Sequence, residues 1–188
     1  MYSEELVNTR DWIAKADELL AAASILEIDA EKYWAAISVK NGQVVGIPNR
    51  KSVQGPYFLL TAYALENYFK ALLIHRNRKS LQNRLTSALP AYLKNHDLIE
   101  LSRDINLTID VTEEELLFRL TQNSIWSARY PVSTDPSAYA AMKRLKKFSD
   151  GNYYLTAYLG PKDMSRVRAF VDRLRRIVVK EIGDFKDK

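Results

Sequence analysis

The chain of 188 residues carries two histidines, His75 and His96, and no cysteine. Proton transfer near neutral pH therefore has only two ordinary carriers. A disulfide framework, a cysteine nucleophile and a thiolate metal site are excluded. The missing cysteine is compatible with a reducing compartment. Two further side chains stand out in "PYFLLTAYALENYFKALLIHRN", beginning at Pro56. Glu66 and Lys70 lie one helical turn apart, where an ion pair forms. A carboxylate in so apolar a stretch is costly to bury alone. His96-Asp97 opens a later segment, and Arg129-Tyr130 comes just before Pro131. Glu66, Lys70, His96, Asp97, Arg129 and Tyr130 admit two readings. They form a structural polar network, with arginine matched to a buried carboxylate. Or they line a groove for a phosphate or nucleotide, Arg129 giving charge and Tyr130 stacking.

Other chemistries find less support. Two histidines without cysteine argue against a dedicated zinc site, and no metal or cofactor is expected. Glu113, Glu114 and Glu115 are consecutive, so on a helix they spread around its axis and cannot converge on one ion. No glycine-rich phosphate loop and no nucleophile elbow is present. The formal net charge is +5 and unevenly spread. Acidic residues crowd the start (Glu4, Glu5, Asp11, Glu18, Glu27, Asp29, Glu31). Basic ones gather in "HRNRK" at 75–79, "KRLKK" at 143–147 and "RLRR" at 173–176. Lys143, Arg144, Lys146 and Lys147, near Tyr153, Tyr154 and Tyr158, suit a nucleic-acid patch that neutralises phosphates. The competing reading is solvated helix faces with acidic–basic pairing between chain segments.

These residues need a scaffold, and helical periodicity dominates the chain. Hydrophobic residues make up 47% and charged residues 27%, ordinary for a globular protein. One domain, 1–188, is expected from the length. A first helix starts near Thr9 or Asp11, with Trp12, Ala16, Leu19, Leu20, Ala23 and Leu26 as its apolar stripe. "DAEKYWAAI" reads as a second helical piece. Asn41-Gly42 between valines and isoleucines suits a tight hairpin, or else a mobile loop, within a connection near 37–55. The helix from Pro56 is apolar nearly all round and should be central. Asn95 or Asp97 can cap the next helix. Thr112 with Glu115 three residues on matches a capping box for the one after, which Pro131 ends. "DPSAYAAMKRLKKF" suggests a short helix, and "SDGNYYLTAYLGP" is irregular or weakly extended. The last helix opens at Pro161, with Met164, Val167, Val171, Leu174 and Val178 as its seam and Phe170 and Ile177 widening it. The fold class is all-α, an antiparallel bundle of four to five main helices.

Three pieces in order resemble the HEPN family of helical domains. They are "AYALENYFKALL" (62–73), "HDLIEL" (96–101) and "SARYP" (127–131). The first is similar to the family's alanine–glutamate–lysine pattern on a central helix. "HDLIEL" is similar to the His-Asp-Leu that opens the next helix, and "SARYP" to the Arg-Tyr that closes a later one. The resemblance spans roughly residues 11–182. It implies an antiparallel bundle, frequent homodimers and several activities. Some members are metal-independent ribonucleases, often toxins or defence proteins, marked by an Arg, four to six residues, then a His. Others partner a toxin or a nucleotidyltransferase, or bind nucleotides or nucleic acid.

The ribonuclease motif can be checked completely. Five to seven residues before His75 stand Tyr68, Phe69 and Lys70; before His96 stand Leu89, Pro90 and Ala91. No arginine qualifies, and no histidine follows Arg129. Lys70 with His75 offers a positive charge without arginine's bidentate fork. A diverged endoribonuclease would pair His96 as base with a sequence-remote cation such as Arg129. The expected function is instead a non-catalytic HEPN-like binding or partner module, homodimeric, for RNA, single-stranded DNA, a nucleotide or a protein partner. The polar first residues predict no secretory leader, and no apolar run reaches the roughly 18 residues of a membrane span. The protein is expected to be soluble and cytoplasmic.

Overall fold

The computed structural model describes residues 7–41, 43–84, 90–127, 145–155 and 159–183. Among these the chain forms an all-α helical bundle. Its elements are α1 (Thr9–Ala35), a hairpin of β1 (Ser38–Lys40) and β2 (Gln43–Gly46), α2 (Gln54–Arg84), α3 (Ala91–Lys94), α4 (Leu98–Asp104) and α5 (Val111–Gln122). A π-helical turn, Asn123–Ser127, extends α5. A second hairpin, β3 (Leu145–Lys147) and β4 (Tyr153–Leu155), and α6 (Pro161–Ile182) follow.

Helix α2 is the axis of the bundle. Phe58, Leu65, Tyr68, Phe69, Leu72 and Ile74 are essentially inaccessible, and with buried Ala64, Glu66, Lys70, Ala71 and Leu73 they occupy every side of the helix. Such a sequence is satisfied only when neighbours cover every face. Each full burial of a Leu or Phe contributes about 1.5–3 kcal/mol. Helix α1 runs antiparallel along α2: Asp17 meets Tyr68 and Glu27 meets Tyr57. Helix α6 runs parallel to α2, since Phe170 packs edge-on against Phe69 and Glu181 reaches Arg76. Helix α5 is antiparallel to α6, with Asp163 at Arg119 and Arg173 at Glu113. All the seam residues expected for α6 are buried, together with Phe170. These helices share one core from Ile13 to Val178, while Val7, Ile74, Leu81 and Leu93 form a smaller cluster beside it.

Several local expectations shift. The separate helical piece at 29–37 does not exist: α1 is continuous to Ala35, because Ala23 and Ala30 keep its buried stripe in phase. The hairpin does form around Asn41, whose φ of 51° is the left-handed geometry a tight turn requires. Helix α5 is capped two residues earlier than expected. Asp110 accepts from the amides of Thr112 and Glu113 at 2.8 and 2.9 Å and from the Thr112 hydroxyl, and Glu113 returns the bond to the Asp110 amide. A carboxylate is the stronger acceptor at a helix start, so Thr112 becomes a first-turn residue. Leu145–Lys147 is a strand where a helix is expected. It pairs with Tyr153–Leu155 across a turn in which Gly151 has φ 81° and Asp150 accepts from the Asn152 amide. The turn and ladder outweigh local helix propensity. The rest of that expected helix, 135–144, lies outside the described residues.

Candidate functional site

Helix α2 presents Glu66 and Lys70 on one face, four residues apart. Lys70 Nζ donates to Glu66 Oε1 at 2.6 Å, and both side chains are buried. The second partner comes from the start of α4, which is firmly built. Asp97 is its N-cap, accepting from the amides of Ile99 and Glu100 at 2.9 and 3.2 Å. Asn95 Oδ1 accepts from the Asp97 amide, and the Leu98 amide donates to Thr121 Oγ1 of α5 at 3.0 Å. These bonds hold His96, one residue before the cap, against α2. Its Nδ1 lies 3.0 Å from Glu66 Oε1, while its side chain is 62% exposed against 10% for Glu66.

The chemistry of the group follows from that asymmetry. The Glu66 carboxylate is compensated by the Lys70 ammonium, so the buried pair carries no net charge. The tautomer that suits Glu66 has its proton on Nδ1, which leaves Nε2 as an acceptor on the exposed ring. A carboxylate fixing one imidazole nitrogen and freeing the other is how histidines are oriented for ligands and for proton transfer. The π-helical turn passes close by. Tyr63, one turn before Glu66, donates to the Ser124 carbonyl at 3.4 Å, and the Ser124 hydroxyl bonds back to Thr121. Such widened turns are frequent at functional sites.

Of the six polar residues singled out in the sequence, Glu66, Lys70 and His96 come together. Asp97 is separate, committed to capping α4. Arg129 and Tyr130 lie outside the described residues, as do Lys143 and Arg144 of the basic patch. Lys146 falls in strand β3, and Lys147 on that strand is exposed. Lys70 and His75 do not form a pair: Lys70 is buried and His75 is exposed on the same helix.

A second polar cluster has only faint sequence signals. Arg119, amid the apolar Leu116, Leu117 and Leu120, makes a fork of two 2.8 Å bonds to Asp163, with both residues buried. Arg166 joins Asp163 and Glu115, and Asp163 also accepts from the Gly160 amide at the start of α6. An arginine inside an apolar run and an aspartate three residues past Gly160-Pro161 are the hints. The three glutamates of α5 take separate roles, as their spread around the helix requires. Glu113 caps, Glu114 accepts from the Ser149 amide, and Glu115 faces Arg166.

Acidic–basic pairing between segments is extensive. Arg50 meets Asp29, Arg168 bridges Glu27 and Glu31, and Arg175 lies 3.4 Å from Asp17. The acidic α1 thus neutralises cations from α6 and the connection. Beside Arg168 a cleft of about 220 Å³ opens between α1, α2 and α6. In it Tyr57 donates to Glu27, and burial, then the Glu27 charge, pushes its phenol well above the usual range. Tyr68 is raised likewise by burial and by its bond to Asp17.

Among the described residues no three His, Asp or Glu side chains are grouped to hold a metal ion, and no helix is long and apolar enough to cross a membrane. Comparison with family models, curated proteins and solved structures found no match.

Proposed function

We propose that the chain is a HEPN-like, non-catalytic binding and partner module, homodimeric, for nucleic acid, a nucleotide or a protein partner, with His96 Nε2 accepting a hydrogen bond from a hydroxyl or base N–H of the ligand. The observation that carries the reading is the position of His96. One ring nitrogen rests 3.0 Å from a buried carboxylate, and the ring is otherwise largely exposed. A polar group held ready in one orientation binds without first losing rotamer freedom. The HEPN resemblance supports the reading, and two of its three segments supply Glu66, Lys70 and His96. The missing Arg-x4-6-His pattern supports a non-catalytic role. A toxin or a nucleotidyltransferase is the protein partner that the resemblance implies.

Binding of RNA and single-stranded DNA, followed against salt, tests the ligand. The expected result is a salt-dependent affinity whose slope falls with Arg129→Ala or with alanines at Lys143 and Arg144. His96→Ala should weaken binding without changing that slope. No binding at about 100 μM and low salt, where non-specific affinities usually lie, removes nucleic acid as the ligand.

The Glu66–His96 contact also favours a second reading, a diverged metal-independent endoribonuclease in which His96 is the base and Arg129 the cation. It requires RNA cleavage that persists with chelator and is lost in His96→Ala. Cleavage that survives this substitution excludes it.

A further inference from the structure

Most arginines of the bundle are held by carboxylates: Arg76 by Glu181, Arg168 by Glu27 and Glu31, Arg173 by Glu113, and Arg119 and Arg166 by Asp163. A different arrangement stands where α1 begins and α6 ends. There a cavity of about 420 Å³ is lined by Thr9 and Arg10 of α1, His75 and Arg78 of α2, and Ile182 of α6. His75 and Arg78 are three residues apart and share one face of α2. Both are exposed, and among the described residues neither side chain makes a hydrogen bond or ion pair.

Among the described residues, the carboxylates beside the lining are already engaged. Glu181 receives two bonds from Arg76, at 3.0 and 2.6 Å, and Asp11 accepts from the Asn8 side-chain amide at 2.8 Å. The start of α1 is itself capped, since Asn8 Oδ1 accepts from the Arg10 amide. What distinguishes the cavity is the His75–Arg78 face of α2, whose side chains open into it.

We propose that this cavity is a binding site for a phosphate monoester on a nucleotide-sized molecule. Arg78 offers a planar fork that matches phosphate oxygens, and His75 one turn away offers a ring donor. The volume falls in the range of about 300–1,000 Å³ typical of small-molecule sites, larger than a bare phosphate needs. The site is distinct from the Glu66 group. His75 lies nine residues beyond Glu66, which is about 13.5 Å of rise and half a turn, so the two groups occupy opposite faces of α2. The proposal does not depend on the function proposed above.

The test is titration of the full chain, by calorimetry, with a nucleoside 5′-monophosphate, the corresponding nucleoside and inorganic phosphate. The expected result is saturable binding of the monophosphate below about 1 mM, with the nucleoside at least about tenfold weaker. Arg78→Ala and His75→Ala should each weaken it about tenfold, the loss of one charge-assisted bond. Lys40→Ala removes the same charge from exposed β1 and should leave binding unchanged. Inorganic phosphate binding as tightly as the monophosphate would keep the anion site and overturn the nucleotide-sized ligand. No saturable binding of either phosphate compound up to about 10 mM overturns the proposal. So does an Arg78→Ala variant, folded by circular dichroism, that binds as the parent does, or a Lys40→Ala variant that weakens equally.

Discussion

A single lysine decides whether Glu66 is tolerable. Both residues of the pair are buried, and His96 reaches the carboxylate only from the exposed side. Removing the ammonium leaves a buried carboxylate whose remaining partner is the exposed His96 ring. Lys70→Ala should therefore destabilise the fold by about 3–5 kcal/mol, seen as a lower urea midpoint. The double variant Glu66→Gln with Lys70→Met removes both charges together and should recover much of that loss. A Lys70→Ala variant within about 1 kcal/mol of the parent would show that the pair does not support the core. The pairing of Glu66 with Lys70 is legible in the sequence, because four residues on a helix bring two side chains together. The contact with His96, thirty positions away, is not a matter of spacing at all.

At the level of elements, the helix starts are built from side chains that act locally. Asp110 holds two amides and a hydroxyl at the head of α5, and these bonds, the Thr112 hydroxyl foremost, lower its carboxyl below the usual range. A depressed folded-state value means stability that is present above the unfolded value of about 3.9 and lost as pH falls through the folded one. Asp110→Ala should cost about 1 kcal/mol at neutral pH. The gap between variant and parent should narrow below about pH 4, measured by denaturation across pH. A gap that stays constant into acid would mean that the carboxylate form is not what caps α5. Here sequence reading sees that a cap exists but places it on Thr112. Both positions carry a cap-forming residue with a glutamate three places on, and the stronger acceptor, the Asp110 carboxylate, takes the cap.

Over the whole molecule, charge is distributed so that the acidic α1 faces the basic α6. That pairing leaves fewer cations for a phosphate surface than the total of 28 lysines and arginines suggests. The function proposed above requires a second copy of the chain. Mass measured by light scattering should rise from monomer toward twice that value with protein concentration. A monomer mass at high concentration refutes the dimer. Exposed Ile25, Ile28, Val44, Val45 and Ile47, on α1 and the first hairpin and its exit, are apolar positions where substitution to lysine should shift that equilibrium.

By itself the sequence determined what periodicity and local chemistry can encode. That includes the all-α class, the central apolar helix, the buried seam of α6 and the Glu66–Lys70 pair. Each depends on residues within a few turns of one another. The unbroken α1, the choice of Asp110 as cap and the strand at Leu145–Lys147 were decided by competition between near-equal local options, which burial, acceptor strength and ladder bonds resolve. The meeting of His96 with Glu66, the Arg119–Asp163 fork and the gathering of Arg10, His75 and Arg78 around one cavity were decided by tertiary structure alone. Contacts between residues tens of positions apart depend on which helix faces meet, and that is a property of the packed core rather than of any segment.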